Sequence, residues 1–223
     1  MSHELNKSKK AKYYQGISYD EETKHEGEKL AHQRFGVEGL WKRHNFNAMF
    51  HSSIPSGMAA FVESLPFFFI ATANLRGECD CSFRGRELDA LGQAYALVKV
   101  LDAKTLLFPD YSGNNFFNSL GNILVNGQIG MLFIDFEAQL RVRINGRAGI
   151  LEDRHAYTEL WPTAQRYVRV EVTQAFGNCQ SRIPRMQLLE PKSSREQGRA
   201  KERNNLSQQV AKCQAHADEC ANF

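Results

Sequence analysis

What most constrains this chain is a succession of short apolar runs between Phe67 and Phe176, each bounded by turn residues. Phe67–Ala73 is a continuous apolar strand. Asn74-Leu75-Arg76-Gly77 reads as a turn, and Glu78–Phe83 returns as a second strand. Tyr95–Leu101 is a third; Asp102-Ala103-Lys104 turns it into Thr105–Phe108, a fourth. Gln128–Phe136 and Leu140–Leu151 form a long hairpin. Arg166–Phe176 closes the pattern, with Val168, Val170 and Val172 on one face and Arg169, Glu171 and Thr173 on the other. Six or seven short strands joined by turns predict an antiparallel barrel or sandwich. Gln128–Ile134 is apolar on both faces: Ile129, Met131 and Phe133 on one, Leu132 and Ile134 on the other. A strand apolar on both faces is buried on both. If one face fills a barrel, helices or a second subunit must cover the other.

Helices flank these strands. Leu30, Ala31 and Phe35 lie at helical spacing, which predicts a helix from Asp20 to about Phe35, closed by Gly36 and Gly39. Met58, Ala59, Phe61, Val62 and Leu65 predict another, with Ser56 as its cap. Phe117, Leu120 and Leu124 give a short helix within Phe116–Val125, and Arg154–Trp161 reads as one more. Residues 1–18 are polar and read as an N-terminal tail; residues 19–190 carry a single domain. Residues 191–223, with Leu206 and Val210 their only large aliphatics, read as a solvated helix or a disordered tail.

Composition excludes several classes. Of 223 residues, 28 are Lys or Arg and 25 Asp or Glu; a formal charge of +3 is too mild for a nucleic-acid surface. No apolar run reaches the about 18–20 residues that span a bilayer, and no apolar segment follows the charged N-terminus, so neither membrane span nor signal peptide is expected. Five cysteines without a secretion signal predict reduced thiols in the cytoplasm. Cys79 and Cys81 share a strand face, but no C-x-x-C pair exists and no metal site is expected. His25, Glu28 and His32 fall on one helical face; a surface helix with a Glu28–His32 pair accounts for them. Phosphate-loop, dinucleotide and nucleophile-elbow motifs are all missing from the sequence.

Four features bear on chemistry. Leu106–Val125 (LLFPDYSGNNFFNSLGNILV) is an apolar strand, a Gly/Ser/Asn loop and a helix. Amides of such a loop beside a helix N-terminus can bind an anion; a capped strand-to-helix connection would leave the same pattern. Lys99 is the only charge in Tyr95–Leu101 and shares a face with Leu97 and Leu101, so its ammonium either meets an anion or snorkels past the strand edge. Arg141 and Arg143 alternate with Leu140, Val142 and Ile144, as phosphate ligands or as a solvated outer face. Ser82-Phe83-Arg84-Gly85 follows a strand and could wrap a phosphate.

Taken together, these residues resemble the FMN-binding split-barrel proteins related to pyridoxamine 5′-phosphate oxidase, in their flavin-nucleotide-binding branch. The motifs are FFFIATAN-x-x-G, DCSFRG, VKVLD-x-x-TLLFPDYSGNN, NSLGNIL and LRVRINGRA, with KHEGEKLAHQRFG before them and FGNCQSRIPR after, over about residues 20–190. The resemblance implies a mainly β fold with flanking helices, a six-stranded antiparallel split barrel. It implies a homodimer with FMN in grooves at the subunit interface. Lys99 matches the lysine that reaches the FMN phosphate, and Ser82, Arg84 and Gly85 match the Ser-x-Arg-Gly element near it. Pro109, Asp110, Gly113, Asn114 and Asn115 match the loop over the flavin and phosphate; Ser119 matches a polar helix position and Arg143 an arginine of the Val-Arg-Val-x-Gly strand. Ala94 stands where pyridoxamine phosphate oxidases carry an arginine, and Gly-Asn-Asn replaces their Ser-Arg-Lys step, so that oxidation is not implied. The expected role is an FMN-dependent oxidoreductase using NAD(P)H or another reductant, with no side chain named as catalytic because the cofactor carries the redox chemistry. A flavin carrier or sensor, or heme or deazaflavin handling on the same barrel, are the alternatives.

Overall fold

The computed structural model describes residues 25–37, 39 and 49–189. The chain divides into two compact units, Met1–Arg185 and Met186–Phe223; of the second, residues 186–189 are described and form no regular element. The first unit runs α1 (Glu26–Arg34), β1 (Phe50–His51), α2 (Ser56–Ser64), β2 (Phe67–Ala73), β3 (Cys79–Gly85), β4 (Lys99–Asp102), β5 (Thr105–Asp110), α3 (Asn118–Val125), β6 (Gln128–Asp135), β7 (Leu140–Leu151) and β8 (Arg166–Asn178). Among the described residues the fold is mainly antiparallel β with three helices. The sheet order is β3-β2-β6-β7-β8-β5-β4, with β1 paired to β8. The described residues form eight strands, against the six that the resemblance implies; the one the sequence pattern does not show is β1, whose two residues leave no periodic signal.

The hairpin β2–β3 turns where the sequence predicts it. Asn74 Oδ1 accepts from the amides of Arg76 (2.9 Å) and Glu78 (3.1 Å), and Gly77 takes φ +81°, a conformation that favours glycine. Alternation sets the faces. Phe68, Ile70 and Thr72 of β2 point into the barrel, as do Ile129, Met131 and Phe133 of β6 and Val168, Val170 and Val172 of β8. Every residue of β5 is buried. The register slips between Asn145 and Gly146, which pair with Gln174 and Val172, so that Thr173 of β8 is the extra residue of a bulge. A Cβ on Gly146 would collide with the Glu171 carbonyl oxygen across the ladder, so only glycine fits.

Three expectations about these elements need correction. Tyr95–Leu101 is a strand only from Lys99; Ala96 is drawn off the ladder because its carbonyl accepts from Trp161 Nε1 at 2.6 Å. Arg154–Trp161 is a series of turns, since Ala156 and Leu160 bond three residues back and Pro162 stops the run. Its Tyr157 and Trp161 fill a second small core with Leu107 and Tyr167. Pro55, not Ser56, is the cap residue of α2. His25 is the cap of α1: its Nδ1 accepts from the Gly27 and Glu28 amides (3.1 and 3.3 Å) while Glu28 accepts from the His25 amide (3.2 Å), a reciprocal capping box. Gly36 ends that helix at φ +68°. The predicted start at Asp20, the tails, and Cys213 and Cys220 lie outside the described residues. Among the described residues no helix is long and apolar enough to cross a membrane.

Candidate functional site

The side chains of β3 alternate in environment: Cys79, Cys81 and Phe83 are exposed, whereas Asp80, Ser82 and Arg84 turn inward opposite Thr72, Ile70 and Phe68. These three line a cavity of about 340 Å³. Its other walls are Asp110 at the end of β5, the loop from Tyr111 to Phe117, the first turn of α3, and Gln165 and Arg166 at the start of β8. Register brings the last of these in, because Asp110 pairs with Arg166 across the β5–β8 ladder. The helix is held from below: Asn122 Nδ2 donates to Thr72 Oγ1 (3.1 Å) and Asn126 Nδ2 to the Ala73 carbonyl (2.9 Å).

Asp110 is 6% exposed and lies between two guanidiniums. Its Oδ1 accepts from Arg84 Nη1 at 3.2 Å, and its Oδ2 is 3.4 Å from Arg166 Nη1. The Arg166 guanidinium also covers the Phe117 ring at 5.3 Å. Arg84 Nε is buried without a partner. A buried charged donor with no acceptor is costly, so an orphan here leaves room for an acceptor that the described residues do not supply. The N-terminus of α3 supplies more donors. Its cap residue, Phe117, takes the left-handed conformation (φ 54°) and makes no side-chain cap bond. The first amides of the helix are therefore uncapped at the cavity wall, where the helix dipole favours negative charge. Asn115 also lies at positive φ (61°), so the loop holds two strained non-glycine residues beside the cavity. Ser119 Oγ donates to Asp80 Oδ2 at 2.6 Å and orients that carboxylate. The Tyr111 hydroxyl is buried without a partner, and burial, with Glu87 nearby, pushes its pKa up to about 12.

The structure brings together Ser82, Arg84, Asp110, Gly113, Asn114, Asn115 and Ser119 around this one cavity. It places four other predicted residues elsewhere. Lys99 pairs with Glu63 at 3.1 Å and is 43% exposed; the ammonium has found a carboxylate of α2, whose Oε1 also accepts from the Val100 amide (2.9 Å). Gly85 opposes Phe67 at the strand end, and Pro109 opposes Tyr167 within β5. Arg143 lies on the outer sheet face opposite Leu132, with its guanidinium 5.7 Å from the Phe176 ring. Asp80 and Arg166 are cavity residues that the sequence reading did not single out. Two-residue alternation from Ser82 and Arg84 points back to Asp80, but nothing local signals Arg166. Among the described residues no group of three or more His, Cys, Asp or Glu side chains could hold a metal ion.

Residues 54–196 match the family model described as pyridoxamine 5′-phosphate oxidase. No curated protein matches. Among solved structures, HupZ of Group A Streptococcus is similar at 19% identity and a TM-score of 0.43, covering 57% of this chain and 95% of that one. The FAD binding protein of Mycobacterium smegmatis is similar at 16% identity and 0.37, covering 56% and 96%. An FMN-binding protein from Syntrophomonas wolfei is similar at 9% identity and 0.36, covering 73% and 99%.

Proposed function

The chain belongs to the pyridoxamine 5′-phosphate oxidase family, and on that premise we propose that it binds FMN, with the terminal phosphate in the cavity between β3, β5 and α3. The observation that carries this reading is the buried, unpartnered Arg84 Nε beside the uncapped first turn of α3. A phosphate offers strong acceptors for both, and charge-assisted bonds to arginine suit its oxygens. Arg84 and Arg166 would hold the charge, the first amides of α3 would add to them, and Asn114 and Asn115 would close the loop side. Bound FMN would supply one- or two-electron redox chemistry; the chain orients it and excludes water. We read the protein as an oxidoreductase of undefined substrate, with NAD(P)H as the reductant to test first, working in the cytoplasm. The three unpaired cysteines among the described residues are compatible with that compartment.

The same reading includes a homodimer. The outer face of β2, β3 and β6 presents Phe67, Phe69, Phe83 and Leu132, with Phe136 stacked on Phe67 at 6.3 Å. Phe83 is 60% exposed in the single chain. A second copy laid on this face would bury it and cover the outer side of β6. Purified protein titrated with FMN and with riboflavin tests the cofactor: FMN is expected to bind more tightly, and equal affinities would reject a phosphate site. Turnover of NADH or NADPH with an electron acceptor tests the oxidoreductase.

A further inference from the structure

Asp110 is a carboxylate in a cavity read as a phosphate site, and that calls for an explanation. Two cations and two carboxylates line the cavity, Arg84 and Arg166 against Asp80 and Asp110, so their formal charges cancel. A phosphate entering such a site gains little from net charge. It gains from donors already aimed at it. Asp110 is well placed to aim them. It is 6% exposed, and its backbone carbonyl accepts from the Gln165 amide at 2.8 Å, which ties it to the strand that carries Arg166. Each of its oxygens faces one nitrogen of one guanidinium, Arg84 Nη1 at 3.2 Å and Arg166 Nη1 at 3.4 Å. Arg84 is thereby held by one corner, while its Nε stays buried and unpartnered.

We propose that Asp110 is a positioning residue that clamps Arg84 and Arg166 by one nitrogen each and so keeps the Nε edge of Arg84 aimed at a phosphate monoester. This rests on the reading of the cavity as the FMN phosphate site. It makes the less intuitive prediction. If the carboxylate acted only through its charge, removing it would strengthen phosphate binding. If it positions the arginines, removing it weakens phosphate binding and leaves a ligand without phosphate unaffected.

The test titrates FMN and riboflavin into the full-length wild type, Arg84→Ala, Asp110→Asn and Asp110→Glu, with thermal melting of each. Asp110→Asn is expected to weaken FMN about tenfold or more, the worth of one charge-assisted bond, while riboflavin changes less than about twofold. Asp110→Glu keeps the charge but lengthens the arm, and an FMN-selective loss of a few-fold is expected there too. It carries the test should Asp110→Asn fail to fold. FMN binding unchanged or tighter in these variants overturns the proposal, as does an equal loss of both ligands, which would mean a merely structural role. A distinct result, wild type binding the two ligands alike and Arg84→Ala changing neither, would overturn the cavity reading itself and the proposal with it.

Discussion

The sharpest contrast available is between two cations that the sequence ranks alike and the structure separates. Arg84 lines the cavity with its Nε unpartnered; Lys99 pairs with Glu63 outside it. Replacing Arg84 by Ala removes at least one charge-assisted bond to a bound phosphate, worth roughly 1.5–3 kcal/mol. At about 1.4 kcal/mol per decade, FMN should bind about ten- to hundredfold more weakly. Folding should suffer less than the about 3–5 kcal/mol of a fully orphaned buried charge, because Arg166 still faces Asp110. Replacing Lys99 by Ala breaks a pair whose side chains are 43% and 30% exposed, so stability should fall by about 1 kcal/mol or less and FMN affinity should not change. Fluorescence titration with FMN and riboflavin, alongside urea unfolding, reads both effects. A Lys99→Ala variant that loses FMN while Arg84→Ala keeps it would refute the placement of the phosphate.

Three further outcomes are expected. Gly146→Ala should lower the melting temperature markedly, since the added methyl meets the Glu171 carbonyl in the middle of the β7–β8 ladder and no flexible side chain can give way; a melting temperature equal to wild type would contradict that register. Tyr111, neutral in the fold up to about pH 12, adds no pH dependence below its ordinary value near 10; above that the unfolded chain ionises first and stability falls as pH rises. Tyr111→Phe should flatten that fall between about pH 10 and 12 and cost little at pH 7, because the lost hydroxyl had no partner; an unaltered pH profile would count against its burial. Phe83→Asp should convert a dimer of the 25.4 kDa chain to monomer in light scattering, whereas an unchanged mass would place the interface elsewhere.

How much of this was legible follows from distance along the chain. β2, β6 and β7 stand within a residue of where alternation and turn chemistry place them, because both signals are local. The loop from Pro109 to Ser119 was legible as a candidate anion site for the same reason: glycine, asparagine and a helix start fall within one short stretch. Arg166 was not, since only the pairing of β5 with β8 brings it to Asp110. Lys99 stayed open for a related reason. A lone cation in an apolar run requires a partner, but sequence cannot say whether that partner is a ligand or, as here, the carboxylate of Glu63. Trp161 shows tertiary packing overriding a helical pattern, its ring buried and its indole N–H tied to Ala96.

The place of β3 at the end of the sheet order has a kinetic consequence. Among the described residues its ladder runs to β2 alone, so its outer amides are held by fewer bonds than those of β5, which lies between β4 and β8. Strands of that kind open at free energies below global unfolding. The wall bearing Asp80, Ser82 and Arg84 is thus the part of the cavity expected to fray first. A ligand seated against it resists that fraying by RT ln(1 + [L]/Kd). Amide exchange along residues 79–85 should therefore slow on ligand addition more than exchange in β5, and the residence time of the ligand should follow how often this strand peels away.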